Sequence, residues 1–492
     1  MVIYYASGIQ TETLISQIPQ PMPNTQDRPR GISPRRQRFC EDPVQSMLSV
    51  IGSIRTRRRA RQIGRVGLQV LFASAFLAPA VANAGLLLVT AAFPFAVADW
   101  RALLRQPVVL ACSACAIYLI ALTVVLRLAP PEAIDVHWNG LWAWLQLVLF
   151  IPVAFFVRAD SAHLSRLLLL CVFGLIIGML WRLDWAQLLR SPQVYLDTSR
   201  DGYGFPALGF ALFSGTAVLG MVLLRRRWWA GSPARILLWV VCLLLPLQGF
   251  FVTQARGAWF SLLATAGFVF IISRRYRQRS VSLPQTRILR YAAVILALVV
   301  FAATQGRMIV SRLLEEVPAV QDIISWRQEY YSGGASVILR WNAQRFGLET
   351  WLQRPLTGWG PDTSHDLMVA SGNPRFESKE GEGSKILRHL HNTYLELLVQ
   401  TGVLGLVLAG VLVAALLRGL VQAFRAGRLA ADLCLFLLSA FILMLLWSLF
   451  DYRAVHQDWR FYWLLLAGTT FSFSLLADNA ADSEDAAAGK PE

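Results

Sequence analysis

Long apolar runs with few charges are the feature that most constrains how this chain can fold. Their lengths approach the roughly 20 residues with which an α-helix crosses a bilayer. In lipid every backbone polar group must be paired within the protein, so only helices and closed barrels can span it. Twelve runs are present, at about 66–81, 84–98, 107–127, 140–157, 164–181, 205–224, 235–253, 257–273, 288–305, 393–417, 430–450 and 460–477. They predict an all-α polytopic membrane protein with about twelve transmembrane helices.

Composition supports this class and argues against two others. Of the 492 residues 55% are hydrophobic and 15% are charged, whereas a soluble domain has about a quarter charged residues. The net charge of +16 would indicate a nucleic-acid partner in a soluble domain. Here the basic residues flank apolar runs, which is typical of membrane topology, and no nucleic acid is expected. Most cysteines lie inside the runs, which favours core packing over metal or redox chemistry.

Charge also predicts the orientation of the chain. With alternating crossings, the loops on one side contain seventeen Arg and the short loops on the other side contain six. Because Lys and Arg remain on the cytoplasmic side, both termini are predicted to be cytoplasmic. Residues 1–62, rich in Pro, Gln, Ser and Arg, are predicted to form a disordered basic arm, and 478–492 a cytoplasmic tail. The basic end of the arm either contacts anionic membrane lipids or serves only as a topology signal.

One long loop divides the rest of the chain. Residues 63–305 contain predicted transmembrane helices 1–9, and residues 390–477 contain helices 10–12. The loop between them, 306–389, falls on the outer side and has ten basic and ten acidic residues. Its several tryptophans argue against disorder. The spacing in SVILRWNAQRFGLETWLQRP predicts one amphipathic helix that stops at Pro355 and lies over the outer mouth of the protein.

Two histidines precede the tenth run, in HLHNTYLELLVQTGVLG. Thr393 and Glu396 have the spacing of a capping box, and Asn392 is an alternative cap. A helix N-terminus disfavours imidazolium, so His389 and His391 are expected to stay neutral near pH 7 and to be able to accept a proton. They could equally be interfacial residues bonded to backbone. A zinc site is less favoured, because the His-x-His pattern supplies only two ligands.

Three arginines on the outer side form the second candidate group. Arg256 occupies a tight turn in FVTQARGAW, Arg200 precedes the sixth run, and Arg340 opens the amphipathic helix. The planar guanidinium matches phosphate oxygens, so these residues predict a phosphate or pyrophosphate clamp. Salt bridges to neighbouring carboxylates are the alternative, namely to Asp197, Asp201 or Glu349.

Another outer segment leaves two interpretations open. DYRAVHQDW contains Asp451, Arg453 and His456 between the last two runs. These residues either join the site or belong to an ordinary interfacial loop. None of the nucleotide-binding or serine-hydrolase motifs with a glycine-rich turn is present, so nucleotide hydrolysis is not expected.

Three segments, in this order, resemble the O-antigen ligase and O-antigen polymerase superfamily: TQARGAW, RWNAQRFGLETWLQRPLTGWGPDTS and HLHNTYLELLVQTGVLG. The resemblance covers about residues 250–410. It implies a membrane-embedded glycosyltransferase of the C type (GT-C) at the periplasmic face of the bacterial inner membrane. Its donor would be an undecaprenyl-pyrophosphate-linked polysaccharide, with no nucleotide sugar. Because the pyrophosphate is already a good leaving group, no metal or cofactor is expected.

The family's functional residues can be carried over to matching positions. The His-Asn pair before the helix falls on His391, the outer Arg-Gly turn on Arg256, and the Arg before the Trp-rich helix on Arg340. His391 would be the general base, and the arginines would bind the pyrophosphate. His389 matches less closely, and Arg200 only loosely because the sequence around it differs.

The resemblance leaves the acceptor open. A ligase uses the lipid A-core of lipopolysaccharide, a polymerase uses another lipid-linked repeat unit, and a protein O-oligosaccharyltransferase uses Ser or Thr. We favour the ligase, because the short tail leaves no room for an added acceptor domain. A transporter of lipid-linked sugars is the non-enzyme alternative, but its ionisable groups would lie near mid-bilayer, whereas these lie at the outer lip.

Overall fold

The computed structural model of the protein describes residues 54–130, 136–190, 202–228, 233–276, 305–306, 308–315, 317, 336–373, 376–378 and 385–475. The helices of these residues are α1 Ile54–Ser74, α2 Pro79–Ala96, α3 Trp100–Leu104, α4 Pro107–Leu128, α5 Trp138–Leu145, the 3-10 helix Gln146–Leu149, α6 Phe150–Val157, α7 Ser161–Arg182, α8 Trp185–Arg190, α9 Ala207–Leu223, α10 Arg225–Trp228, α11 Pro233–Val252, α12 Arg256–Tyr276, α13 Ser336–Gln353, α14 Ser364–Ala370, α15 Thr393–Arg425, α16 Ala431–Trp447 and α17 Gln457–Ser472. A two-residue antiparallel hairpin pairs β1 Glu377–Ser378 with β2 Lys385–Ile386.

The all-α polytopic membrane fold is confirmed, although the number of spans is not. Within the described residues seven helical segments are long and apolar enough to cross a bilayer, and two more apolar helices, α9 and α16, are slightly shorter. The seven are Pro79–Ala96, Pro107–Leu128, Trp138–Val157, Ser161–Arg182, Ala234–Val252, Arg256–Ser273 and Thr393–Arg425. The predicted run at 288–305 lies almost entirely outside the described residues.

The first two runs form a close helix pair. Helix α1 begins at Ile54, so the basic cluster that was assigned to the arm lies on its first turns. A Cβ built on Gly67 would lie 2.8 Å from the carbonyl oxygen of Gly85 in α2, and the converse distance is also 2.8 Å. Small residues at such contacts let helix backbones approach closely. The remainder of the predicted arm and the C-terminal tail lie outside the described residues.

The last helix occupies the centre of the core. Every residue of α17 from 461 to 472 is buried, and a helix buried all round belongs in an interior rather than on a lipid-facing surface. Gly468 lets α6 approach, because a Cβ there would lie 2.6 Å from Val153. The loop that precedes α17 is thereby held against the core.

Helix α15 is broken near its N-terminal end. Gly402 has φ 65° and ψ −171°, a region of backbone space that only glycine occupies readily. The outer loop supplies the hydrogen bonds that the break removes: Trp359 N donates to Val399 O at 2.8 Å, and Val403 N donates to Pro355 O at 2.9 Å. The helix predicted in this loop is present as α13, but its apolar side chains are not gathered on one buried face, since Trp341, Leu348 and Leu352 are 48%, 47% and 61% exposed. The prediction that it is amphipathic was therefore wrong. The position of α13 over the outer mouth stays a prediction.

Candidate functional site

The turn that carries both histidines is ordered by an asparagine cap. Asn392 Oδ1 accepts from Tyr394 N at 3.0 Å and from Leu395 N at 3.2 Å. The alternative cap is therefore correct, and the capping box formed by Thr393 and Glu396 was a wrong prediction. Thr393 instead donates its hydroxyl to Asp451 O at 2.7 Å. This bond connects the histidine turn with the loop between α16 and α17.

His391 faces a buried carboxylate. Its Nδ1 lies 3.3 Å from Asp451 Oδ1, and the imidazole is 17% exposed. An ionised carboxylate can only accept, so His391 Nδ1 carries the proton and the lone pair of Nε2 remains available. The backbone of His391 has φ 53°, a left-handed conformation that costs on the order of 1–3 kcal/mol and persists only where the surrounding structure holds it. Such strain is concentrated at functional sites.

His389 is the more buried imidazole. Its Nδ1 accepts from the backbone N–H of His391 at 3.3 Å, and its Nε2 lies 4.0 Å from Asp451 Oδ1. Burial is the largest cause that lowers the pKa of His389, to about 3. His389 is therefore neutral at pH 7, as predicted from the sequence. The predicted cause was the helix N-terminus, whereas burial is the main cause of the lowered pKa.

Asp451 stays ionised despite its burial. Burial by itself would raise the pKa of this carboxyl, but the hydrogen bond from His391 and the positive charge of Arg453 outweigh it, and the pKa lies below its ordinary value. Arg453 also pairs with Asp458 at 3.1 Å. The His456 ring lies 6.5 Å from that of His389, centroid to centroid. The sequence left open whether Asp451, Arg453 and His456 join the site. Of these, Asp451 makes the direct contact with His391.

His389, His391 and Asp451 could together hold a metal ion. Ligand atoms of His389, His391 and Asp451 all lie within 4.8 Å of one another. The sequence offered only two ligands here, both histidines, and the structure adds a third ligand, the carboxylate of Asp451 from a loop distant in sequence. Three protein ligands with an open position is the pattern of catalytic zinc sites. A metal would have to displace the hydrogen bond between His391 and Asp451.

Arg256 is the first residue of α12 and lies beside the loop of Asp451. A Cβ on the following residue, Gly257, would overlap the ring of Phe450, so the Arg-Gly turn packs against the residue that precedes Asp451. Arg256 Nη1 donates to Arg312 O at 2.9 Å. The tight turn predicted from the sequence therefore packs against the side chain next to Asp451 in the chain.

Arg340 lies on α13, which packs against the histidine turn. At Gly347 an added Cβ would lie 2.6 Å from Leu390 and 3.0 Å from Leu395. Arg340 is seven residues before this contact, about 10 Å along the helix. Glu349, one of the salt-bridge partners considered above, pairs with Arg345 at 3.0 Å. Arg200, with Asp197 and Asp201, lies outside the described residues, so its placement stays a prediction.

Sequence reasoning missed two buried polar residues of α15. Glu396 and Gln400 are each 1% exposed, and Glu396 Oε2 accepts from Leu390 N at 2.8 Å. A signal was available, because a Glu and a Gln four residues apart inside an apolar run fall on one helix face. Tyr452, beside Asp451, shares their environment, and burial followed by the charge of Glu396 raises its pKa well above the ordinary value.

Comparison with known proteins identifies a related family. A family model described as O-antigen ligase matches residues 241–410. The match includes Arg256, Arg340 and both histidines, and it ends before Asp451. No curated protein matches the chain at a significant level.

Proposed function

We propose that this chain, a member of the O-antigen ligase and polymerase superfamily through residues 241–410, is a ligase of lipopolysaccharide assembly. It would transfer a polysaccharide from undecaprenyl pyrophosphate to a sugar hydroxyl of lipid A-core. The membrane would be the bacterial inner membrane, with the reaction on its periplasmic side. The family supports a glycosyltransferase-type enzyme with polysaccharide and lipid substrates, and the narrower assignment is our proposal.

The observation that carries the proposal is the hydrogen bond between His391 and Asp451. It holds the proton on Nδ1 of His391 and directs the free lone pair of Nε2 away from the carboxylate. A base arranged in this way can accept a proton from an attacking alcohol, and the buried carboxylate stabilises the imidazolium that forms.

The reaction balances without another reagent. The acceptor hydroxyl oxygen forms a bond to the anomeric carbon as the bond from that carbon to the diphosphate oxygen breaks. The hydroxyl proton passes to His391 Nε2, and the diphosphate leaves with the bonding electron pair. Arg256, Arg340 and Arg200 are proposed to stabilise the negative charge on the leaving diphosphate. No metal or cofactor is needed in this scheme, since the diphosphate is a good leaving group.

The test is glycan transfer in membrane vesicles that contain purified lipid-pyrophosphate donor. His391→Ala and Arg256→Ala are expected to abolish transfer, whereas the control variants His137→Ala and Arg345→Ala, both at exposed positions, are expected to retain it. If the His391 and Arg256 variants reach the membrane folded and still transfer glycan normally, the assignment is wrong.

Acceptor choice is tested in the same vesicles. Transfer to lipid A-core alone supports a ligase. Transfer only to another lipid-linked repeat unit indicates a polymerase, and transfer to protein Ser or Thr indicates an O-oligosaccharyltransferase. Flipping of the donor across the bilayer with no glycan transfer would favour the transporter.

A further inference from the structure

A buried pair of polar side chains supports the segment between the two histidines. Glu396 and Gln400 lie one turn apart in α15, and both are almost completely buried. Glu396 Oε2 accepts from the backbone N–H of Leu390 at 2.8 Å, and its Oε1 accepts from Gln400 Nε2 at 2.9 Å. Leu390 stands between His389 and His391, so one carboxylate holds the backbone that connects the two imidazole-bearing residues.

Gln400 connects this carboxylate to three other parts of the protein. Its Oε1 accepts from Trp144 Nε1 at 3.2 Å and from Asp362 N at 2.9 Å. Its Nε2 also donates to the hydroxyl of Tyr452 at 3.3 Å. These partners belong to α5, to the outer loop and to the loop that carries Asp451. The network therefore joins the two sides of the contact between His391 and Asp451.

The histidine turn depends on such support. His391 has a left-handed backbone with φ 53°, and non-glycine residues keep this conformation only when the surroundings determine it. The Leu390 side chain is fully buried and packs beside Gly347. Packing holds this side chain, and Glu396 holds the N–H of the same residue. A shift of the Leu390 peptide would carry both imidazoles with it.

We propose that Glu396 and Gln400 are positioning residues, which keep His391 in line with Asp451 by holding the Leu390 peptide. They act through the histidine turn and do not touch substrate. This inference rests on the proposed function, in which His391 is the base.

The direction of each hydrogen bond gives a sharp test. In Glu396→Gln, the new side-chain oxygen can still accept from Leu390 N–H. The new NH2 group then faces the NH2 group of Gln400, and the two donors repel each other. In Gln400→Glu, two carboxylates face each other. The exchange Glu396→Gln with Gln400→Glu restores the bonds to Leu390, Trp144 and Asp362: Gln accepts from Leu390 and donates to Glu, and that Glu accepts from Trp144 and Asp362. The contact with Tyr452 is kept with the Tyr452 hydroxyl as the donor. A buried network must satisfy all of its members to be stable.

The experiment compares both single variants, the double variant and His391→Ala in the vesicle assay, with thermal melting of each. Glu349→Gln is the matched control, because the same chemical change there affects a 59% exposed side chain. Each single variant is expected to lower kcat on the order of 10- to 100-fold with KM unchanged, since small misplacements of catalytic groups cost about this much. The double variant is expected to recover kcat to within about threefold of the original, a range that allows for imperfect relaxation of a coupled pair.

Each other outcome has a distinct meaning. Single variants that lower the melting temperature but keep kcat would show that the pair only stabilises the fold, and would overturn the proposal. A folded double variant with a kcat as low as that of the single variants would overturn the proposal as well. The double variant can be compared with the original protein even if a single variant does not fold. Full activity of His391→Ala would contradict the proposed function itself, independently of the results at 396 and 400.

Discussion

The hydroxyl of Thr393 donates to the backbone carbonyl oxygen of Asp451 at 2.7 Å, across 58 residues of sequence. Thr393 N also donates to Ser448 O at 2.8 Å. The first residue of α15 is thereby bonded twice to the segment after α16. These bonds use backbone atoms of that segment, so a change at the Asp451 side chain leaves them in place and tests chemistry rather than folding.

Asp451→Asn is expected to reduce glycan transfer strongly. The amide can present its NH2 to His391 Nδ1, which would move the imidazole proton to Nε2 and remove the base. A tautomer error of this kind lowers kcat by roughly 10²- to 10⁴-fold with little effect on binding. Steady-state kinetics in vesicles measure the effect, with Asp366→Asn in the outer loop as the control. An Asn variant with undiminished kcat would exclude Asp451 as the group that orients His391.

Arg340→Gln and Arg345→Gln form a matched pair on α13. Arg340 is expected to bind the pyrophosphate, so its loss should lower kcat/KM on the order of 10²-fold, the usual effect of removing one donor that stabilises developing charge. Arg345 pairs with the exposed Glu349, and an exposed pair of this type contributes under about 1 kcal/mol. Transfer rates at several donor concentrations distinguish the two variants. Equal effects at both positions would argue against a specific role for Arg340.

Stability is expected to fall as the pH falls below about 6.5 because of His389. Its pKa is about 3 in the folded protein against 6.5 as its ordinary value, so between these values the unfolded chain binds a proton and the folded protein does not. The free energy of unfolding then decreases by about 1.4 kcal/mol for each pH unit of acidification. Asp451, whose pKa is lowered, adds a loss only below its ordinary value of 3.8.

Thermal melting in detergent across this pH range measures the effect of His389. His389→Gln is expected to flatten the pH dependence, and His137→Gln, at an exposed position, is expected to leave it unchanged. A His389→Gln variant with the original pH dependence would show that another group is responsible.

Chelation is expected to leave glycan transfer unchanged. In the proposed mechanism Asp451 accepts a hydrogen bond from His391 Nδ1, and the same side chains cannot at once form this bond and coordinate a metal. Added Zn²⁺ is expected to inhibit, because three ligand atoms lie within 4.8 Å of one another and Zn²⁺ binds such sets. Transfer rates with and without chelator provide the measurement. Loss of activity on chelation and its recovery with Zn²⁺ would show that the reaction depends on a metal, and would contradict the mechanism with His391 as a metal-free general base.

Gly402→Ala is expected to destabilise the broken helix. The backbone there lies in a region that is essentially restricted to glycine, which costs other residues roughly 1–3 kcal/mol, and a Cβ would also overlap Leu356 O. Gly410→Ala in the same helix has no atom within 4 Å of the added Cβ. A glycine in the middle of a helix costs roughly 0.5–1 kcal/mol relative to Ala, so this control is expected to be neutral or stabilising. Melting temperatures compare the two, and equal values would contradict the role assigned to the break.

The membrane class and the candidate histidines could be predicted from local sequence. An apolar run of sufficient length has few alternatives to a transmembrane helix, since lipid offers no partner for free backbone groups. Helix α13 ends at Gln353, just before Pro355, as predicted, because proline stops a helix through its own geometry. His389 and His391 could be identified as candidates because ionisable groups next to a membrane-spanning run are energetically costly and often mark a functional site.

Partners distant in sequence could not be predicted in this way. Asp451 lies 60 residues after His391, and no local pattern shows that its carboxylate meets the imidazole. Glu396 had the spacing of a capping box, yet its carboxylate bonds to Leu390 because Asn392 already caps the helix. Sequence alone therefore determined the membrane class and the residue types available for chemistry, since these follow from local chain properties. Only the tertiary structure decided which carboxylate orients which imidazole, because that depends on how α15, α16 and α17 pack together.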